Sequence, residues 1–238
     1  MQRDVQGEEI LQLAQGVNEA LFLSGSLALD LVNTEMIIRG KKHDVLASPE
    51  ALAVWWTQAC KHNTESQSVL EENSVIWTPQ LLTAVKMLRA GVRHLASYVV
   101  QEQAVDESAL EPLNMVLALG YPSIQKTKQG NLKQVMRLRD AKIGAVVLPI
   151  AISAFRLFTE ADWQRLHKCK NDRCILYFYD TTKSATRQWC SLGCMNRSRS
   201  AERYKETKKA KLSSYSREAS RNGDRNPVGR VGRTEEGS

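Results

Sequence analysis

The first 160 residues carry apolar side chains at the spacing of amphipathic helices. Ser48-Pro49 and Thr78-Pro79 each place an N-capping side chain before a proline, whose missing N–H costs nothing at the first helical position. Helices are therefore predicted to begin at both prolines. After Thr78, apolar residues recur in steps of three and four toward Gln103 and form one stripe of core positions, namely Leu81, Leu82, Val85, Leu88, Val92, Leu95 and Val99.

Three further elements complete the prediction for this region. Asp106 is expected to cap a helix that Gly120 and Pro122 end, because glycine tolerates the left-handed geometry of a helix C-cap and proline cannot continue a helix. Leu132 to Arg139 is predicted as a short strand, one half of a hairpin. Ile143 to Phe158 is predicted as a buried helix that Pro149 kinks or breaks, since proline removes a backbone donor. The sequence thus predicts a mostly α fold with a small β-hairpin.

Charge is divided unevenly between the two ends of the chain. The 238 residues include 33 Lys and Arg against 26 Asp and Glu, a formal net charge of +7. From Ala161 onward there are 18 basic and 9 acidic residues, net +9, whereas the first 160 residues hold 15 and 17, net −2. This asymmetry indicates a polyanionic partner for the C-terminal part, although a solubilising tail would give the same pattern.

Neither export nor membrane insertion is indicated. Charged residues interrupt the first twenty positions, so we expect no secretory signal there. The longest apolar run, Ile143 to Phe155, is shorter than the ~20 residues that span a bilayer. We therefore expect a cytoplasmic protein without a membrane partner.

The five cysteines favour a metal site over disulfides. Four of them form two close pairs, Cys169 with Cys174 and Cys190 with Cys194, separated by fifteen residues, while Cys60 stands alone far upstream. Paired thiolates at this spacing suit tetrahedral zinc, and ordinary thiols or a redox disulfide are the alternative. Four thiolates would close the coordination sphere, so we expect one structural zinc ion and no enzyme activity. Cys60 lies in an apolar context and is expected to be a buried thiol without chemistry.

The residues between and after the cysteine pairs predict a treble-clef-like finger. Ile175 to Tyr179 is a β-branched and aromatic run, Asp180 to Ser184 has turn chemistry, and Arg187 to Trp189 is predicted to return as the second strand. The second cysteine pair would open a helix that continues to about Lys211. His167 could compete as a zinc ligand, and a packed or surface histidine is the alternative reading.

That helix is rich in cations and is the predicted nucleic-acid contact. Arginine forks pair with phosphate, and arginine or asparagine at a helix start can reach base edges in a groove. A solvated helix face is the alternative, because Glu202 and Glu206 can pair with neighbouring cations. The candidate DNA-binding residues are Arg187, Asn196, Arg197, Arg199, Arg203, Lys205, Lys208 and Lys209.

Three segments follow from these patterns. Residues 1–160 are predicted to form a helical regulatory domain, and residues 161–212 the finger with its basic helix. Residues 213–238 are rich in Ser, Arg, Asn and Gly and predict a disordered basic tail. Leu157, Phe158 and Trp163 run into Cys169 without a flexible linker, so we expect the last helix of the domain to pack against both parts.

The motifs of this chain resemble those of the bacterial CGNR-type zinc finger proteins, whose finger follows an ABATE domain. Leu27 to Thr34, LALDLVNT, is similar to the opening motif of the ABATE domain. Met195 stands where the finger motif has glycine, and the second knuckle has three residues between its cysteines in place of four. The matching finger segments are CKNDRC, Phe178-Tyr179-Asp180, Arg187-Gln188-Trp189-Cys190-Ser191 and Cys194-Met195-Asn196-Arg197.

The resemblance implies a zinc-finger transcriptional regulator that binds DNA, with an N-terminal domain that senses a ligand or dimerises. Asp30, Asn33 and Thr34 in the opening motif are candidates for a ligand pocket, and helix capping or turn hydrogen bonds are the alternative. RNA or a protein partner stays open for the finger, because Tyr177 and Tyr179 could stack unpaired bases or simply pack. A homodimer is compatible with the same sequence.

Overall fold

Residue 22, residues 25–62 and residues 75–223 are described by a computed structural model. These residues form six α-helices and three two-stranded antiparallel sheets. The chain divides into two compact units, one from Met1 to Met195 and one from Asn196 to Ser238. The first twenty residues, for which the sequence predicts no secretory signal, and residues 224–238 of the predicted tail lie outside the described residues.

The described residues of the first unit include five helices, and the predicted helix starts are confirmed. Thr78 caps its helix through its Oγ1, which accepts the N–H of Leu81 at 3.2 Å. Asp106 caps the next helix in the same way, since its carboxylate accepts the N–H of Ser108 at 3.2 Å. The five helices are α1 (Leu27–Val32), α2 (Pro49–His62), α3 (Pro79–Val100), α4 (Glu107–Leu117) and α5 (Ala141–Thr159).

Helix α5 continues through Pro149, so the proline does not break it. The side chains before and after the proline, including Val146, Val147 and Ile150, are fully buried. Burying an aliphatic side chain contributes about 1.5–3 kcal/mol, so packing outweighs the backbone hydrogen bond that proline removes.

Two hairpins flank the helices. β3 (Gly120–Lys126) pairs with β4 (Leu132–Leu138), which confirms the predicted strand, and Gly120 begins β3 two residues after α4's C-cap. A side chain at Gly120 would overlap Leu148 of α5, so this approach requires glycine. The sequence did not predict the other hairpin, β1 (Glu35–Ile38) with β2 (Lys41–Asp44), because its second strand is polar.

The core lies where α1, α3 and α5 meet. All six residues of α1 are buried, and α1 packs against both longer helices. Helix α4 covers α3 and α5. None of the helices in the described part of the chain is long and apolar enough to cross a bilayer.

A buried cation fixes the β1–β2 hairpin onto α3. Arg89 donates to both carboxylate oxygens of Asp44, at 2.6 and 2.9 Å, and to Oγ1 of Thr34 at 2.8 Å. Glu35 accepts a further contact from Arg89 at 3.3 Å. Burial alone would raise the pKa of Asp44, but the hydrogen bonds and charge of Arg89 outweigh burial and lower that pKa to about 2.

Candidate metal centre

The finger begins directly after α5 and differs from the predicted hairpin. Residues 163–165 form a 3₁₀ turn, and β5 (Leu166–Lys168) pairs antiparallel with β6 (Tyr177–Tyr179), with His167 opposite Phe178. Arg187 to Trp189 is not a strand, so the prediction that it returns alongside Tyr177–Tyr179 is wrong. The strand partner instead precedes the first cysteine. Helix α6 (Leu192–Gly223) follows the second cysteine pair.

The loop after β6 explains why the chain does not return as a strand. Asp180 is fully buried. Its carboxylate accepts hydrogen bonds from the backbone N–H of Thr182 at 2.9 Å and from the Oγ1 hydroxyl of Thr182 at 2.7 Å. It also accepts the N–H of Arg187 at 2.8 Å, which curls residues 180–187 around one side chain. Burial would raise the pKa of Asp180, and these hydrogen bonds outweigh burial and lower the pKa to about 2.

The four predicted cysteine ligands converge on one point. Their sulfur atoms all lie within 4.8 Å of one another, with Cys190 Sγ 3.8 Å from Cys174 Sγ and 3.4 Å from Cys194 Sγ. Zn–S bonds of about 2.3 Å in a regular tetrahedron place sulfurs about 3.8 Å apart, so shifts of about 1 Å or less in these separations would accommodate zinc. The cysteines therefore hold one structural zinc ion. His167 is not part of this cluster, and its ring packs on Phe178 at 5.6 Å between centroids.

Hydrogen bonds among the four thiols favour one thiolate within the cluster. Contacts with the thiols of Cys174 and Cys190 lower the pKa of Cys169 to about 6, and the contact with Cys169 raises the pKa of Cys190. One thiolate is thus favoured by the thiols themselves, and a bound cation favours the others. The backbone N–H of Cys190 also donates to Cys169 Sγ at 3.5 Å.

Neighbouring side chains hold the second knuckle in place. Arg187 donates from Nε to the carbonyl of Trp189 at 2.9 Å and from Nη2 to the carbonyl of Cys190, and its guanidinium lies 4.6 Å from the Phe178 ring centroid. Asn171 donates to the carbonyl of Cys194 at 3.0 Å. Ser191 Oγ accepts the N–H of Cys194 at 3.2 Å and so caps the start of α6.

One side chain of the opening motif, Asn33, joins the finger to the helical domain. Its Nδ2 donates to the carbonyl of Tyr177 at 2.8 Å, and its Oδ1 accepts the N–H of Tyr177 at 2.9 Å. Both residues are buried, with 3% and 4% of their surface exposed. The amide of Asn33 therefore takes the place of a neighbouring strand at the free edge of β6.

A second polar contact supports the same junction. Arg93 of α3 donates to the carbonyl of Ile175 at 3.1 Å and to the carbonyl of Val32, and its guanidinium lies 5.9 Å from the Tyr177 ring centroid. Glu35 contacts the same guanidinium at 3.6 Å. Asn33 and Arg93 together form what we call the docking pair, because each donates to one backbone carbonyl on the finger side.

Two helices that the sequence did not indicate, α1 and α3, also hold the finger. β5 packs chiefly against α3, and β6 packs against α1. Trp163, which was expected to link both parts, is half exposed, and its Nε1 donates to the carbonyl of Phe158 at 3.0 Å. Leu157 and Leu166 are buried at the junction, so the direct connection contributes to the core without dominating it.

The candidate ligand residues of the opening motif are all buried. Thr34 donates from Oγ1 to the carbonyl of Leu31 at 2.7 Å and accepts Arg89, while Asn33 serves the docking pair. Asp30 lies in the first turn of α1. The contacts of Asn33 and Thr34 reach protein groups on three different elements. The sequence contained a signal for these buried polar contacts, since Arg89 and Arg93 interrupt the apolar stripe of α3.

The candidate DNA-binding residues divide between the two units. Arg187 belongs to the first unit, and its guanidinium contacts the knuckle described above. In the second unit, α6 continues past Ser213 to Gly223, through the start of the predicted tail. The remaining candidates on α6 are all exposed, namely Asn196, Arg197, Arg199, Arg203, Lys205, Lys208 and Lys209.

Helical periodicity separates two faces on this part of α6. Arg197, Lys205, Lys208 and Lys211 fall within a sector of roughly 120° at about 3.6 residues per turn, and we call this face the cationic stripe. Glu202 and Glu206 lie on the opposite side, together with Arg199 and Arg203. The cationic stripe contains no acidic residue.

These features define a zinc-finger protein in which a helical domain and a four-cysteine module share one core. Residues 25–161 match the model of the ABATE family, whose description is "Putative stress-induced transcription regulator". Residues 165–206 match the model of the CGNR zinc finger. The first match covers more than half of the chain, so the chain belongs to the ABATE family and carries a CGNR zinc finger. A search of curated proteins found no match.

Proposed function

We propose that this chain is a DNA-binding transcription regulator of the cytoplasm, not an enzyme, and that its zinc site fixes the start of a phosphate-contacting helix. The cationic stripe of α6 is the observation that carries this proposal. Its four cations are exposed and share one face of the helix, which suits contacts to a row of phosphates. The description of the ABATE family as a transcription regulator supports the same function.

The helical domain would then supply the regulation. We infer that a ligand or a second copy of the chain biases the arrangement of α1 and α3, since these helices hold β6 and β5. Such a bias needs an effector with different affinities for two arrangements. The docking pair is where a shift of α1 or α3 would reach the finger, because its side chains bind the finger backbone directly.

The test is the salt dependence of DNA binding by the full chain. With four to six phosphate contacts, log K should fall against log salt with a slope near −4 to −5, at roughly −0.9 per contact. Fluorescence anisotropy on duplex DNA between about 50 and 300 mM salt measures this slope. A slope near zero would contradict DNA binding and favour a protein-interaction adaptor. Tighter binding to an RNA of the same sequence would favour RNA.

A matched pair of variants tests the face of the helix. Lys208→Gln with Lys211→Gln should flatten the slope by up to about 1.8, because both lie in the cationic stripe. Arg199→Gln with Arg203→Gln removes the same charge from the face that carries Glu202 and Glu206. That control should change the slope by less than about 0.5, since those arginines already have acidic neighbours. Equal losses in both variants would show that the stripe has no special role.

A further inference from the structure

A groove on the finger is lined by residues that are not zinc ligands. Its volume is about 430 Å³. Lys168 and Lys170, which flank the first zinc ligand, line it together with residues 185–188. The two segments are joined where the N–H of Lys170 donates to the carbonyl of Gln188 at 2.9 Å and its Nζ donates to Oε1 of Gln188 at 3.2 Å.

The lining of this groove carries positive charge. None of its lining residues is acidic. Within the described residues, the amine of Lys168 has no carboxylate partner, and Gln188 is the polar partner of Lys170. Three cations of the helical domain differ, since Arg89, Lys86 and Lys42 all contact Asp44 or Glu35. The groove therefore holds two cations that no carboxylate of the described residues neutralises directly.

The neutral lining supplies the hydrogen-bond partners that a phosphate takes. Thr186 offers a hydroxyl, which lies 3.0 Å from Ser184 Oγ, and Gln188 offers the NH₂ of its amide. Both side chains are exposed beside the two lysines. The two lysines, Thr186 and Gln188 are all exposed, so the groove is open to solvent. An open groove suits an extended polymer better than a small molecule, which usually binds in an enclosed pocket. Arg187 contributes little charge to it, because its guanidinium is engaged with Trp189, Cys190 and Phe178.

We propose that this groove binds a backbone phosphate of DNA through Lys168 and Lys170. The proposal rests on the proposed function and adds to it a contact surface in the first unit, distinct in residues from the cationic stripe of the second. The competing role for these lysines is to balance the zinc site, since four thiolates and one Zn²⁺ carry a net charge of −2. The two roles give different results in one set of variants.

The experiment compares two double variants of the full chain. Lys168→Gln with Lys170→Gln removes the groove cations and keeps polar side chains of similar length. Arg173→Gln with Lys183→Gln is the control, because both residues are exposed on the finger outside the groove and the charge change is equal. Zinc content, thermal stability, duplex-DNA affinity against salt, and binding of inorganic phosphate are measured for each.

The groove variant should keep its zinc and its stability and should flatten the salt slope by about 1.8, with affinity reduced up to about 60-fold at 0.1 M salt. The control should change the slope by less than about 0.5. Equal losses of DNA affinity in both variants would overturn the proposal that the groove binds phosphate and leave the proposed function intact. Weakened zinc retention with an unchanged salt slope would have the same consequence. Saturable phosphate binding with unchanged DNA affinity in the variant would assign the groove to a free phosphorylated ligand and overturn it as well. A wild-type slope near zero would overturn the proposed function itself.

Discussion

Single polar side chains decide how the two parts of the first unit meet. The four zinc ligands and their purpose could be predicted from spacing, because thiolate pairs have few other uses at these intervals. The partner of Asn33 could not be predicted, since it lies 144 residues away. It is also a backbone group, which every residue has, so no residue type in the sequence marks it. Buried amides of this kind are found by their hydrogen bonds, not by their sequence pattern.

Replacing Asn33 by alanine should therefore destabilise the protein. The change leaves the N–H and the carbonyl of Tyr177 buried without a partner, at a cost of about 2–4 kcal/mol in the free energy of unfolding. Chemical denaturation measures this loss, and hydrogen exchange should place it at β6. Asn114→Ala on the exposed side of α4 is the control and should change stability by less than about 0.5 kcal/mol. A stable Asn33→Ala protein would show that the junction does not depend on the amide.

Asp44 gives the fold a defined dependence on pH. Its folded-state pKa of about 2 lies below the unfolded value of about 3.9, so its contribution is complete above about pH 4 and is lost as pH falls toward 2. After allowance for solvent screening we expect Asp44→Asn to cost about 1–2 kcal/mol at pH 7. The difference in the free energy of unfolding between wild type and Asp44→Asn should shrink as pH falls from 4 to 2. Because acid affects zinc binding in both proteins alike, that effect cancels in the comparison. A difference that stays constant over this range would contradict the assignment.

At the scale of elements, apolar periodicity and caps predicted most helices, while strand pairing was harder to foresee. α2, α3 and α4 begin where proline and capping residues place them, because those signals act within one turn. Two segments at similar distances in sequence could pair with β6. One is Leu166–Lys168, before the first knuckle, and the other is residues 187–189, after β6. Asp180 decides between them by curling the loop that follows β6, so the strand before Cys169 becomes the partner.

Asp180→Asn should weaken zinc binding without touching a ligand. One oxygen becomes an NH₂ group, which cannot accept the N–H of Arg187, so the loop that aims Arg187 at the second knuckle loosens. Loss of such outer contacts typically lowers metal affinity 10- to 100-fold. Competition with a chromophoric chelator measures the affinity. Glu160→Gln, an exposed carboxylate outside the loop, should leave it unchanged, and an equal effect of both substitutions would argue against the role of Asp180.

At the scale of the whole molecule, zinc is expected to stabilise more than the finger. Cys169, Cys190 and Cys194 belong to the same hydrophobic cluster as α1, α3 and α5. The sequence predicted a structural metal, but the shared core depends on contacts between distant segments that spacing alone does not reveal.

Chelation should therefore lower the unfolding temperature of the helical domain together with that of the finger. Native mass spectrometry should count one zinc per chain, and Cys190→Ser should reduce both the count and the stability of α1 and α3 measured by hydrogen exchange. Cys60, a buried thiol whose pKa is raised to about 11 by burial, is the control, since Cys60→Ser should leave the zinc count unaltered. Unchanged protection of α1 after zinc removal would show that the domain is independent of the metal.

The bond between Asn33 and Tyr177 also bears on how such a finger can spread among proteins. Many zinc modules are self-sufficient cassettes that evolution can attach to unrelated domains, because their folding depends on the metal alone. Here the edge of β6 is completed by an amide that another domain supplies. A gene fusion that carried away only the cysteine segment would leave that edge unpaired. This finger is therefore expected to be inherited together with the segment that bears its asparagine, as one recombination unit and not as two.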